Sequence, residues 1–328
     1  MSYISMLAGL QSIRVADQIR YTTELREVWA SGKCPSKQEG LACVAALVPL
    51  LTAQDEAVRQ TSTAALYCLL EGHKVILRAL ALENEELMDK VVLQALRGVR
   101  DGRGEDADFV AFLMSCEDAC VQAACLRTKL LLRVVRLLDS AGHNALRALR
   151  TLSPDQLRKF SLFDGPALLS QGLAVGTLDP ASAVPVLAAA CRAQADCLTQ
   201  LASAPRARAL AGLVGETAVP AGTQAAAAAL LADLACRPDA PPACLELLIN
   251  EALPRACEVL RDGGAGEALA GACALLAARL APRSKPACRL IVLHMAALAP
   301  AAAALVRTGE YGEARHLLRA AGEFAREP

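Results

Sequence analysis

Residues Thr223–Cys236 read TQAAAAALLADLAC, five consecutive alanines running into leucines with Asp233 as the one charge. Three readings compete: a membrane segment, a low-complexity tract, or a helix packed on most of its faces. A low-complexity tract has no reason to keep register with the rest of the chain. This one does, because its leucines, Leu230, Leu231 and Leu234, recur in step in other stretches. A helix apolar nearly all round is a buried helix, and alanine lets neighbouring backbones come close. The stretch is predicted to be a core helix held between neighbours on both sides.

Composition extends that reading to the whole chain. Of 328 residues 54% are hydrophobic and only 3% aromatic, so burial rests on leucine, valine and alanine. Alanine and leucine lose little rotamer freedom in a helix, and an all-α protein follows. With 34 basic and 34 acidic residues the formal net charge is zero. A general nucleic-acid binder carries a basic excess, so nucleic acid is not expected as a partner.

Thirteen cysteines suggest a disulfide scaffold until their setting is read. No CxxC pair occurs, and Cys68, Cys191, Cys236 and Cys273 each sit in an apolar helical run, as small hydrophobes do. The first residues, MSYISMLAGLQSIRVADQIRYTTELREVW, lack the basic region and long apolar core of a secretory signal. An intracellular, reducing compartment is expected, cytoplasmic or cytoskeletal. The most membrane-like run, Leu290–Val306, contains His294 and Pro300 and falls short of the roughly 20 apolar residues that span a bilayer, so no membrane partner is expected.

The clearest repeating unit is GLACVAALVPLLTAQDEAVRQTSTAALYCLLEGH, Gly40–His73. A glycine opens it, an apolar helix follows, then the polar turn TAQDE, a short helix and a longer one carrying AALYCLL. The same grammar returns in Gly165–Cys191, Ala209–Cys236 and Ala252–Ala281. Aligned on one leucine of the last helix, the anchors are Leu187, Leu230 and Leu276, separated by 43 and 46 residues. That is the roughly 40–47-residue period of armadillo and HEAT repeats. Leu66 lies 121 residues before Leu187, room for three further periods of about 40.

The pattern G-x-LVxLL, polar turn, A-x-x-AL-x-x-L resembles the armadillo repeat. The resemblance is specific at Gly40–His73, moderate in the three later units, and through Glu83–Ser161 rests on continuity. It implies an armadillo-like right-handed superhelix of stacked helical repeats. Residues 1–39 are expected to form an N-terminal helical cap, 40–308 one continuous solenoid, and 309–328 an amphipathic helical cap. In that last segment Leu317, Leu318, Ala321 and Phe324 are expected to form one apolar stripe.

Enzyme signatures are missing. There is no phosphate loop ending in Gly-Lys-Ser/Thr, no GxSxG and no HExxH, and His73, His143, His294 and His316 lie far apart. No catalytic residue, cofactor or small-molecule substrate is expected. Cys116, Cys120 and Cys125 are close in sequence, the first two on one helix face, but zinc sites show tighter CxxC or CxxH elements, so no metal is expected either.

Charge is more informative. From Glu83 to Asp118 ten acids face four bases, a net −6; from Arg127 to Lys159 eight bases face two acids, a net +6. The bases are Arg127, Lys129, Arg133, Arg136, Arg147, Arg150, Arg158 and Lys159. Lys129, Arg133 and Arg136 fall at i, i+4 and i+7, one helix face. Such a strip orients an oppositely charged partner, and these eight are the candidate partner-binding residues. The alternative is two solvated faces that partly neutralise each other.

Among armadillo-like proteins, nuclear import adaptors carry a ladder of tryptophan and asparagine along their third helices. Here those helices read AALYCLL, AALLADLAC and CALLAARLA, and Trp29 stands outside any repeat, so the ladder is absent. Two other branches fit: structural scaffolds of the flagellar radial-spoke type, and armadillo nucleotide-exchange factors of heat-shock chaperones, which QLRKFSLFDGPALLSQGL resembles faintly. The expected function is a non-enzymatic protein-interaction scaffold, a subunit of a larger assembly of ciliary kind; the alternative is a chaperone exchange factor or adaptor. An extended peptide or helix is expected in the concave groove formed by the third helices.

Overall fold

Side-chain caps open several of the helices. The computed structural model describes residues 3–324. Ser36 opens α3 (Lys37–Leu50) with a full capping box, accepting from the Glu39 amide while the Glu39 carboxylate accepts from its own. Asp55 caps α4 (Glu56–Gly72), Asn84 caps α6 (Glu85–Arg100), and Asp118 caps α8 (Ala119–Arg127). Ahead of these lie α1 (Tyr3–Leu10) and α2 (Val15–Ala30). Between and after them come α5 (Lys74–Glu83), α7 (Gly104–Ser115), α9 (Leu130–Arg136) and α10 (Gly142–Leu149). Together they make the first of two compact units, Met1–Ser153.

The second unit, Pro154–Pro328, opens with α11 (Pro154–Leu162), α12 (Gly165–Val175) and α13 (Pro180–Ala193), the last capped by Asp179. Next come α14 (Cys197–Leu201), α15 (Ala204–Leu213) and α16 (Ala221–Cys236). The following set is α17 (Pro242–Leu247), α18 (Leu253–Asp262) and α19 (Glu267–Leu280). A π turn, Leu248–Ala252, joins α17 to α18 just before Pro254, which has no N–H to continue the ladder. The last set is α20 (Lys285–Leu293), α21 (Met295–Arg307) and α22 (Tyr311–Phe324). No strand occurs among the described residues.

Within each unit the helices stack in rows. In the first, α2 packs on α4, α4 on α7 and α7 on α10, while α1, α3, α6 and α9 form a parallel row. In the second, α13, α16, α19 and α22 pack in sequence. The anchor leucines Leu66, Leu187, Leu230 and Leu276 lie on α4, α13, α16 and α19 and are all buried. Between α4 and α13 in the chain come α7 and α10, two further helices spaced as the 121-residue gap requires. The opening stretch is the core helix expected: Ala227, Ala228, Leu231, Ala232, Leu234 and Ala235 of α16 are fully buried, with α13 and α15 on one side and α19 on the other.

Several details differ from the sequence reading. The turn after α3 leads into one helix, not a short one and a long one; Asp55 starts it, and no proline or glycine interrupts it before Gly72. Gly40 lies inside α3 rather than at its start. A Cβ there would stand 2.4 Å from Ile76 Cδ1, so glycine lets α5 press onto the α3 backbone. Cys116 and Cys120 do not share a helix, because α7 ends at Ser115 with an extended Cys116 and Asp118 caps the start of α8. Cys236 is exposed at the end of α16. Trp29 is buried on α2, within the packed row. On α22 Leu317 and Ala321 are buried, but Leu318 is half exposed and leaves the expected stripe. The side chain of Phe324, residues 1–2 of the expected first cap and 325–328 of the last lie outside the described residues.

Polar side chains tie each repeat to the next across one period. In the first unit Gln94 Nε2 donates to the Leu51 carbonyl, 43 residues away, at 2.8 Å, and Thr151 Oγ1 to that of Ala111, 40 away, at 3.1 Å. In the second, Gln200 Nε2 donates to the Ser161 carbonyl over 39 residues and Arg255 to that of Gly212 over 43. Arg279 reaches Asp233 over 46, at 2.6 Å. The hydrogen bonds thus carry the same period as the leucines.

Candidate functional site

The eight candidate bases are divided between the two units and differ in what they pair with. Arg127, on α8, is held by Asp89 at 2.7 Å and Glu85 at 3.3 Å, both on α6. Arg147 on α10 and Arg150 just after it both pair with Asp108 of α7. Arg158, on α11 in the second unit, pairs with Asp155 one turn back, and Lys159 beside it is exposed. Lys129 stands just before α9 in a left-handed conformation and so leaves the helix face expected for it. Arg133 and Arg136 are on α9 and exposed. Much of the alternating charge therefore joins one repeat to the next. Arg133 and Arg136 are left facing solvent, with Arg97 and Arg100 of α6 across a shared groove.

A second surface in the first unit is built by the row of long helices. Arg26 of α2, Gln60, Thr61, Thr63 and Ala64 of α4, and Arg103–Asp106 at the start of α7 line an open cavity of about 450 Å³. Its floor is polar and almost closed to solvent. Asp106, 1% exposed, accepts a hydrogen bond from the Tyr67 hydroxyl. Arg103 Nε stands 2.8 Å from Asp106 Oδ2 without hydrogen-bond alignment, so that contact is an ion pair only. Thr63 Oγ1 is buried here with no hydrogen-bond partner.

Burial pushes the Asp106 carboxyl up to about 6, against the smaller opposing pull of Tyr67 and Arg103. Tyr67, whose hydroxyl is pushed well above its usual value by the same burial, stacks on Phe109 with ring centroids 3.9 Å apart and planes 8° from parallel. Gly98 of α6 makes room for the pair: a Cβ there would lie 2.0 Å from Asp106 Oδ2 and 2.6 Å from the Arg103 guanidinium. Sequence reading counted Asp106 among surface acids. The signal that separates it is periodic, since Asp106 shares the i, i+3, i+4, i+7 face with the buried Phe109, Val110 and Leu113.

The long helices of the second unit present a different surface. The partly exposed positions of α16 are Ala225, Ala226, Ala229 and Asp233, and those of α19 are Ala270, Ala272, Leu275 and Arg279, small and apolar apart from the ion pair of Asp233 with Arg279. The thirteen cysteines are free thiols, and burial raises those of Cys43, Cys125, Cys191 and Cys273 to about 12, away from reactivity. Among the described residues no group of three or more His, Cys, Asp or Glu is placed to hold a metal ion. No single helix there is long and apolar enough to cross a membrane; the run Leu290–Val306 breaks at His294, between α20 and α21.

No protein-family model and no curated protein matches the chain. A solved structure does, from work on a conserved phosphorylation switch controlling the interaction between cadherin and beta-catenin. Its TM-score is 0.64 at 13% identity, over 97% of this chain. This chain has an armadillo-type helical-repeat fold. It spans 64% of the matched chain, and at that identity the likeness shows the fold alone. An engineered protein also matches, at 16% identity over 99% of this chain and 98% of its own, but with a TM-score of 0.30 it does not bear on the fold.

Proposed function

We propose that the chain is a non-enzymatic protein-binding scaffold and a structural subunit of a larger assembly. The observation that carries this reading is the groove on the α2–α4–α7 row. Its rim offers the Arg26 side chain without a hydrogen bond or ion pair, its wall the unpartnered Thr63 hydroxyl, and its floor is locked by Tyr67, Asp106 and Arg103. Rigid polar floors with adaptable rims suit an extended peptide or a helix, whose backbone and side chains supply the missing hydrogen bonds. The likeness to a structure from work on the cadherin–beta-catenin interaction supports a binding role of that kind. The thirteen free thiols support an intracellular, reducing setting, cytoplasmic or cytoskeletal. The specific form we propose, from repeat architecture, is a ciliary scaffold of the radial-spoke type.

The test is affinity purification of the endogenous protein, washed at low and high salt, with cross-linking mass spectrometry on the eluate. Structural subunits retained in stoichiometric amount at high salt, cross-linked to α2, α4 or α7, are the expected result. A chaperone recovered alone and lost as salt rises, whose nucleotide release the protein accelerates, replaces the scaffold with the exchange-factor reading.

A further inference from the structure

Once the ion pairs of the first unit are drawn, the arginines left over include a group that shares one groove. Arg97 and Arg100 leave the last turn of α6, and Arg133 and Arg136 the last turn of α9. The four line one groove of about 350 Å³ whose remaining walls are Leu93, Leu96 and Leu137. Arg100 has its sequence neighbour Asp101 at 3.3 Å, exposed to water. Among the described residues no carboxylate pairs with Arg97, Arg133 or Arg136.

Helix ends favour bases, so the positions have a local explanation, and its size can be compared with the charge present. A helix C-terminus offers about half a negative charge, whereas each of these carries two arginines. Two such termini and Asp101 still leave a local charge of about +2. The chain as a whole is neutral. Every other base of the expected strip in this unit except Lys129 is matched to an acid of α6 or α7. Within that strip, the unmatched charge lies in this groove and at Lys129.

We propose that this groove docks an acidic amphipathic helix of a partner protein. The arginines come as two pairs, each at i, i+3, so each pair meets carboxylates one helical turn apart. Guanidinium forks hold carboxylates with two parallel hydrogen bonds. The three leucines receive an apolar side chain from between the acids, which a stretch of uniform charge does not supply. Nucleic acid is the less favoured occupant, because the groove has leucines where a base-stacking surface needs aromatics. The proposal rests on the scaffold reading and adds a second contact face, on the α3–α6–α9 row rather than the α2–α4–α7 row.

The probe is a fluorescent helical peptide with glutamates one turn apart flanking leucines, read by anisotropy with the full chain. Its glutamine and lysine counterparts and a single-stranded RNA of equal length serve as comparisons. The acidic peptide is expected to bind with marked salt dependence. The double variants R97E/R100E and R133E/R136E each weaken it at least about tenfold, at unchanged melting temperature, and R133E/R136E gains affinity for the lysine peptide. R133Q/R136Q supplies the same comparison without introduced acids. Failure of the acidic peptide to bind, equal binding of the glutamine peptide, tighter binding of the RNA, or indifference to the variants overturns the proposal. If R133E/R136E stays in the salt-resistant assembly while the peptide ignores the groove, the scaffold stands and the groove falls. If the assembly is never found but the peptide shows the full pattern, the groove stands and the built-in scaffold falls.

Discussion

Asp106 is the residue whose environment differs most from what its neighbours in sequence suggest. It sits in an acidic run, yet it is enclosed by Tyr67, Arg103 and the bare Gly98 backbone. Its folded carboxyl titrates at about 6 instead of 3.8, so the folded chain holds this proton more tightly than the unfolded chain. The contribution to stability is fully present below about 3.8 and is lost as pH rises through about 6, up to about 3 kcal/mol in all. Melting curves of the wild type and D106N between those values check the sign: the wild type loses ground to D106N as pH rises. A gap that moves the other way contradicts the buried setting. Charge counted over contiguous windows cannot find such a residue, because the window averages Asp106 with its solvated neighbours. It hides the arginine groove too: Arg97 and Arg100 fall in the acidic window, Arg133 and Arg136 in the basic one, and only the packing of α6 against α9 unites them.

At the scale of one helix the sequence is a good guide where burial and period agree. The alanine run of α16 is legible because its leucines repeat in step with α13 and α19. Substituting Leu230, 3% exposed, by alanine is expected to cost about 2–5 kcal/mol, measured by denaturant unfolding. A loss near zero contradicts the register. Boundaries are less legible. Gly40 reads as a helix opener, but its role is to accept Ile76 at close range, a tertiary demand with no local signature. The break between Cys116 and Cys120 is one that helical periodicity runs straight through, though Asp118, which caps the new helix, is a strong N-cap residue. Leu318 shows the converse: an apolar residue at helical spacing from buried neighbours that the packing leaves half exposed.

Over the whole molecule, the repeat period is the property the sequence carries most plainly, since leucine spacing and the cross-repeat hydrogen bonds agree on it. Which face meets a partner is not carried that way, because partner choice depends on surface side chains that the repeat does not constrain. Nearest-neighbour stacking also limits how far a defect spreads. In hydrogen exchange, Leu230→Ala is expected to lower protection in α13, α15 and α19, which touch α16, and to spare α22, which packs on α19 one step further along. Equal loss throughout Pro154–Pro328 contradicts a repeat-by-repeat stability. The one-period hydrogen bonds, Gln94 to Leu51 and Arg279 to Asp233 among them, carry a mechanical corollary. They clasp adjacent links only. Within either unit, tension applied along the chain peels the stack one link at a time, about 40 residues per release, and slack lets the links close again in the same increments.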